Sequence, residues 1–327
     1  MAKPKVFVAR QIFQEALDMI AAEAEVEVWP DELPPPRDVL LQKVADVDGL
    51  LSLLTDKVDG GLMDAAPKLR VISQIAVGYE NIDVKEATRR GIPVGYTPGV
   101  LTRTTADMAF ALLMAAARRL VEGAEAVKAG KWKTWHPLHF LGPDIHGATL
   151  GILGMGRIGL EMAKRAQGFE MPILYNDVIR RPKEEEEQYH MRFESLDTVL
   201  KESNFISVHV NLTPDTYHLI SDRELDLMKP TVVLVNAARG PVIDPKALYR
   251  ALKNKSIGAA ALDVTEPEPI AIDDPLLTLD NCIIVPHIAS ASVATRLRMS
   301  TMAAENLIAG LRGEKMVNCV NPEVYQR

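Results

Sequence analysis

The amino-acid sequence predicts an α/β protein built from two doubly wound parallel-sheet domains with a cleft between them. Three observations carry that prediction. Apolar runs of four to seven residues alternate with stretches of helical period almost from end to end. The alternation restarts at Ala148, and a glycine-rich turn closes the first run after the restart. The chain's 327 residues suffice for about two domains of roughly 150 residues.

In the first third, strands are expected at residues 5–9, 26–29, 49–54, 69–75 and 93–95, with helices at 13–23, 38–44 and 84–90. Pro34, Pro35 and Pro36 break the chain before the second helix, as a loop requires. Residues 103–127 read as one long apolar helix. After Ala148, strands are expected at 149–153, 172–175, 205–210, 231–236, 258–263 and 282–285, and a final helix at 292–312. Each run is aliphatic or β-branched through its middle, as a strand buried on both faces must be. The acidic run from Glu184 to Glu187 reads as a solvated helix face.

Composition excludes several classes. With 47% hydrophobic and 25% charged residues the chain sits near the globular average. The longest apolar run, residues 108–117, falls short of the roughly 20 residues a membrane span needs, so no membrane association is expected. Lys3, Lys5 and Arg10 flank too short an apolar run for a secretory signal. Two cysteines, Cys282 and Cys319, cannot form a disulfide framework, which leaves a cytoplasmic location as the expectation. A net charge of −7 disfavours general nucleic-acid binding. No metal site is expected.

Gly154-Met155-Gly156-Arg157-Ile158-Gly159 matches G-x-G-x-x-G. Alone the pattern is weak. Here it follows an expected strand, opens a stretch with apolar positions at Ile158, Met162 and Ala166, and precedes Asp177 by 18 positions from Gly159. Gly154 permits the turn, Gly156 lets backbone approach a pyrophosphate, and Gly159 brings helix against strand. The first N–H groups of the helix bind the anion. Asp177 accepts hydrogen bonds from the adenosine ribose hydroxyls and repels a 2′-phosphate, so NAD is favoured. Arg180 and Arg181 leave NADP possible, because guanidinium groups grip phosphate.

The last three expected strands each lead to a polar residue of catalytic type: Arg239, Glu268 and His287. If these strands run parallel to the one before Gly154, all three ends share the cofactor's edge of the sheet. Hydride delivery to a ketone creates an alkoxide that needs a proton, and histidine titrates nearest neutrality. A neighbouring carboxylate favours the imidazolium and orients the ring. Arginine offers a planar fork of donors to a carboxylate and an adjacent carbonyl oxygen. His287 is therefore read as general acid, Glu268 as its partner with Glu266 the rival carboxylate, and Arg239 as the substrate clamp.

The glycine loop with Asp177, the run Asn236-Ala-Ala-Arg239-Gly, Leu262-Asp263-Val264 with Glu268-Pro269, and Pro286-His287-Ile288 resemble the D-isomer-specific 2-hydroxyacid dehydrogenases. The resemblance covers essentially the whole chain, including residues 76–83. Residues 132–138, 263–269 and 306–314 are similar to those of glyoxylate/hydroxypyruvate reductases. It implies a discontinuous, flavodoxin-like substrate domain (1–99 and 289–327) and a Rossmann cofactor domain with a dimerisation arm (100–288). It also implies a homodimer in which the arm around Trp135 reaches the partner's site, and a small 2-keto acid as substrate. Leu53, Leu54, Val77, Gly78, Arg239, Ser290 and Trp135 match substrate-side positions, the amides of Val77 and Gly78 taking the carboxylate. Thr105, Gly154, Gly156, Arg157, Ile158, Gly159, Asp177, Asn211, Ala237, Ala238, Asp263, His287 and Ala289 match cofactor-contact positions.

Two positions depart from the family pattern. Ala289 stands where relatives carry glycine, and Asn211 replaces a proline in the adenine-side loop. Both bear on affinity rather than on reaction type. Other readings are a short phosphoglycerate or D-lactate dehydrogenase and an NADH-sensing dimeric corepressor-like module. Phosphite dehydrogenases look to carry lysine in place of Val77, and formate dehydrogenases glutamine in place of Glu268.

Overall fold

A computed structural model of the protein describes residues 3–326. The chain folds in order through Lys5–Val8 (β1), Gln14–Glu23 (α1), Glu25–Val28 (β2), Arg37–Val44 (α2), Gly49–Ser52 (β3), Gly60–Ala65 (α3), Val71–Gln74 (β4), Val84–Arg89 (α4) and Val94–Gly95 (β5). There follow Thr102–Ala117 (α5), Leu120–Lys128 (α6), Leu150–Leu153 (β6), Arg157–Gln167 (α7), Ile173–Asn176 (β7), Lys183–Gln188 (α8) and Met191–Phe193 (β8). The remainder is Leu196–Glu202 (α9), Phe205–Val208 (β9), Asp222–Leu227 (α10), Val233–Asn236 (β10), Pro245–Lys253 (α11), Ala259–Leu262 (β11), Cys282–Ile284 (β12) and Val293–Leu311 (α12).

Two compact units result, parting after Leu101 and after Ser290. The first holds a parallel sheet of order β2-β1-β3-β4-β5, a doubly wound arrangement. The apolar residues of β1, β3 and β4 are buried, and Val6, Val8, Leu51 and Val71 pack on Ala303, Leu307 and Leu311 of α12. The last helix therefore completes the core begun by the first strand. A Cβ on Gly95 would lie 2.8 Å from that of Asn306, so only glycine admits the helix so close to β5.

The second unit carries a seven-stranded parallel sheet of order β12-β11-β10-β9-β6-β7-β8. Its central strands are buried on both faces, between one cluster that includes Phe110, Leu113 and Met162 and another that includes Val199, Leu225 and Leu248. One register row runs through Asn176, Leu153, Val208, Asn236, Leu262 and Ile284. The residues that leave the sheet therefore leave it level. The strand order reverses between β6 and β9, where a doubly wound sheet opens a crevice at its carboxyl edge.

Two sequence expectations are corrected. The single helix expected over residues 103–127 is two helices, because Arg119 turns left-handed at φ 50° between α5 and α6. Its guanidinium pairs with Glu122 and lies 5.4 Å from the Phe140 ring centre, and Gly142 lies where a side chain would overlap the Ala117 carbonyl. The returning segment thus occupies the space a continuous helix would need. The run from Glu184 to Glu187 is helical but is not simply solvated. Glu186 is buried, accepting a hydrogen bond from the Tyr175 hydroxyl at 2.6 Å and two from Arg180 at 2.9 and 2.7 Å. β8 carried no apolar run to betray it, being a three-residue edge strand with an exposed arginine at its centre.

Candidate active site

The glycine loop sits at the crevice. Gly154 is left-handed at φ 93°, and a Cβ there would stand 2.6 Å from the backbone of His209 and Val210 at the end of β9. A Cβ on Gly159 would overlap the Gly154 carbonyl, so that glycine sets how closely α7 approaches β6. At Gly156 a Cβ would meet nothing within 4 Å. Gly156 is also the N-cap of α7 and supplies no side-chain cap, which leaves the helix N-terminus to other acceptors. That open cradle fits a dinucleotide pyrophosphate.

Asp177, one residue past the register row, accepts from Met155 N at 2.6 Å and from Ile179 N at 3.1 Å. Its carboxylate is thereby fixed beside the loop. Arg180 lies in the bidentate pair with buried Glu186, and Arg181 pairs with Glu185 at 2.6 Å. Arg157 is exposed, Ile158 half-buried, and Asn211 exposed on the loop after β9. Thr105 is buried in α5, and Trp135 is 79% exposed on the stretch after α6.

The other strand ends carry the polar groups. Beyond β10, the buried Asn236 side chain donates to Arg239 O at 2.9 Å and accepts from Ala238 N at 3.0 Å, folding Ala237, Ala238 and Arg239 into a turn. At the next residue, Gly240, a Cβ would overlap the Thr265 carbonyl, so this turn packs on the loop that follows β11. That loop carries Glu268, and Glu268 Oε1 is hydrogen bonded to His287 Nδ1 beyond β12. A carboxylate only accepts, so Nδ1 carries a proton and Nε2 is the exchanging position.

His287 adopts φ 52°, a left-handed conformation uncommon outside glycine. Asp263 holds it there. The Asp263 carbonyl accepts from His287 N at 2.9 Å, while its carboxylate accepts from Ile288 N at 2.6 Å and Ala289 N at 3.0 Å. Burial pushes the Asp263 carboxyl up from its ordinary range, and the two backbone N–H groups pull it back. These bonds also keep Ala289 and buried Ser290 with the second unit.

In the first unit, Val77 and Gly78 follow β4 and Leu53 and Leu54 follow β3. Asn81 Nδ2 ties both loops, donating to Leu53 O (3.0 Å), Asp56 O (2.7 Å) and Gln74 Oε1 (2.8 Å). Gln74 in turn donates to Gly78 O at 2.7 Å. Sequence reasoning missed both amides as loop holders; the signal was Gln74, an amide at a buried strand end.

His209 was also missed. It is half-buried just past β9, with Nε2 2.8 Å from Ser207 Oγ and a buried Nδ1 lacking a hydrogen-bond partner. Burial lowers its imidazole to about 4. The folded chain binds fewer protons there than the unfolded one, whose imidazole titrates near 6.5. The stabilisation is thus full above about pH 6.5 and lost as pH falls toward 4. A Tm series on His209→Gln should show a flatter decline across that window; parallel curves would exclude this origin. Among the described residues, no cluster of His, Cys, Asp and Glu forms a candidate metal site, and no helix is long and apolar enough to cross a membrane.

This geometry has close counterparts among known proteins. The model of the D-isomer specific 2-hydroxyacid dehydrogenase NAD-binding domain matches residues 110–289. A glyoxylate reductase of Korarchaeum cryptofilum is 56% identical over 325 residues, covering 99% of this chain and 98% of the relative. A Thermus thermophilus protein of known structure aligns with TM-score 0.92 and 43% identity over 97% of this chain and 99% of its own. An NADPH-dependent glyoxylate/hydroxypyruvate reductase of Sinorhizobium meliloti, solved with NADP and malonate, aligns at TM-score 0.85 and 31% identity over 100% and 99% of the two chains.

Proposed function

The chain belongs to the D-isomer-specific 2-hydroxyacid dehydrogenases, NAD(P)-dependent oxidoreductases acting on 2-keto and 2-hydroxy acids, and on that premise we propose that it reduces glyoxylate or hydroxypyruvate. The observation that carries this reading is the His287–Glu268 hydrogen bond on the edge of the sheet that bears the glycine loop. When bound, a reduced nicotinamide would supply the hydride for the 2-keto carbon. His287 Nε2 gives its proton to the oxygen as the carbonyl pair moves onto it, and the ring regains a proton from solvent. Glu268 steadies the imidazolium and holds the ring's tautomer. Arg239 pairs with the substrate carboxylate and carbonyl oxygen. On the family pattern, the Val77 and Gly78 amides take the carboxylate, and Leu53, Leu54, Ser290 and Trp135 bound the substrate. Gly154, Gly156, Gly159 and the start of α7 would hold the pyrophosphate of the dinucleotide. Initial rates of NADH oxidation with glyoxylate, hydroxypyruvate, pyruvate and phenylpyruvate test the assignment. The two small acids should be preferred, and a preference for phenylpyruvate would overturn it.

NAD is the proposed cofactor over NADP. Asp177 repels a 2′-phosphate, and Arg180 and Arg181 are held by Glu186 and Glu185. The kcat/KM for NADH should exceed that for NADPH by at least about tenfold, the worth of one charge-assisted hydrogen bond. Asp177→Ala should narrow the ratio, whereas a wild-type preference for NADPH would refute the role of Asp177.

The arm supports a homodimer. Trp132, Trp135, Leu138 and Leu141 are 69%, 79%, 71% and 62% exposed within one stretch, and a monomer rarely shows so much contiguous apolar surface. Light scattering should give twice the chain mass. The two unbridged cysteines suit a cytoplasmic location.

A further inference from the structure

The loop that presents Glu268 carries a second carboxylate, Glu266, and the two do different work. Glu266 is already engaged away from His287. Its Oε2 accepts from His218 Nε2 at 2.7 Å, and its Oε1 accepts from the Tyr217 hydroxyl at 3.2 Å. The Tyr217 and His218 rings stack at 4.0 Å with an interplanar angle of 18°. His218 is left-handed at φ 51°, and its backbone N–H donates to Pro241 O at 2.8 Å.

One residue therefore grips two neighbouring segments. Through its backbone His218 holds Pro241, which lies two residues beyond Arg239. Through its side chain it holds Glu266, two residues before Glu268. The Glu268 loop is bound at two further points: the Thr265 carbonyl lies against Gly240, and Thr265 Oγ1 donates to Pro267 O at 2.7 Å. Asp244 is a further charged group near this cluster; it accepts from Ser221 Oγ at 3.2 Å and from the first N–H groups of α11. The Glu268 loop thus carries a second imidazole–carboxylate pair, which fixes the loop and takes Glu266 out of competition for His287.

We infer that His218 is a positioning residue for the reaction, acting through Glu266 to hold the Glu268 loop in register with the Arg239 turn. This inference rests on the proposed roles of Arg239, Glu268 and His287. A displaced carboxylate no longer steadies the imidazolium while substrate and cofactor still bind, so the effect falls on kcat rather than on cofactor affinity.

The test compares His218→Ala, His218→Gln and Glu266→Gln in the full-length protein. Glutamine can place an amide N–H near the position of the imidazole Nε2, so it should restore what alanine removes. Alanine is expected to lower kcat by about tenfold, short of the ~100-fold that an ångström of misplacement can cost. The NADH Kd should stay within about twofold, and His218→Gln should recover most of kcat. Glu266→Gln, which keeps an acceptor but loses the charge, should fall between, and it carries the test if the alanine variant fails to fold. Unchanged kcat in alanine, or equal losses in alanine and glutamine, would overturn the inference. Wild-type activity abolished by His287→Ala beside an unaffected His218→Ala would sink this inference alone. Wild-type turnover that survives His287→Ala would sink the underlying assignment instead.

Discussion

Replacing His287 with alanine should lower kcat for glyoxylate by about 10²- to 10⁴-fold, the usual contribution of a positioned proton donor. The loss should appear in kcat and kcat/KM alike, because the proton moves only as the alkoxide forms. NADH affinity should stay nearly intact, since the pyrophosphate cradle at Gly154, Gly156 and Gly159 lies across the sheet from β12. Between the Asp177 and His287 strands lie five inter-strand steps of ~4.8 Å. Fluorescence titration of NADH beside steady-state rates separates the two effects. Wild-type-like turnover in this variant would remove His287 from the chemistry.

The second large effect is expected at Asp263. The family resemblance implied a cofactor contact there, and in the structure the carboxylate oxygens accept the backbone N–H groups of Ile288 and Ala289. Asp263→Ala leaves both donors without that partner, at a cost of about 1–3 kcal/mol for each buried group. It also frees His287 from a left-handed conformation that few non-glycine residues hold unaided. We expect a Tm drop of several degrees, by about 2–4 °C for each kcal/mol in a chain of this size class. The kcat should fall by about 100-fold, as misplacement of a reacting group can cause. Asp263→Asn keeps one acceptor and should recover part of both. A rise in NADH Kd that matches the fall in kcat would instead make Asp263 a cofactor ligand first and a loop anchor second.

Much of this was legible in the sequence because the signals are local. The strands of the second sheet announce themselves as short aliphatic runs, and the glycine loop meets its context requirements within thirty residues. Parallel strands then place Asp177, Arg239, Glu268 and His287 on one edge with no further information. What escaped was tertiary. No pattern around Glu186 distinguishes it from Glu185 or Glu187; only Tyr175 and Arg180, folded back over it, select it for burial. The break at Arg119 depends on a segment that returns from residue 140. The choice between Glu266 and Glu268 was open because both flank prolines in one loop, and it takes His218, 48 positions earlier, to claim the first. Asp263 was singled out through the family resemblance as a cofactor contact, and its bonds to the His287 loop join residues 25 and 26 positions apart. Periodicity does not encode such bonds.

The kcat of Glu268→Gln, measured beside its NADH affinity, is the most direct measurement of whether the His287–Glu268 pair performs the proton transfer. Glutamine preserves the shape of the side chain and removes only the charge that steadies the imidazolium. The kcat for glyoxylate should therefore fall by about 100-fold, the low end of what a positioned proton donor contributes, with NADH affinity unchanged. Equal kcat in the two proteins would contradict the account.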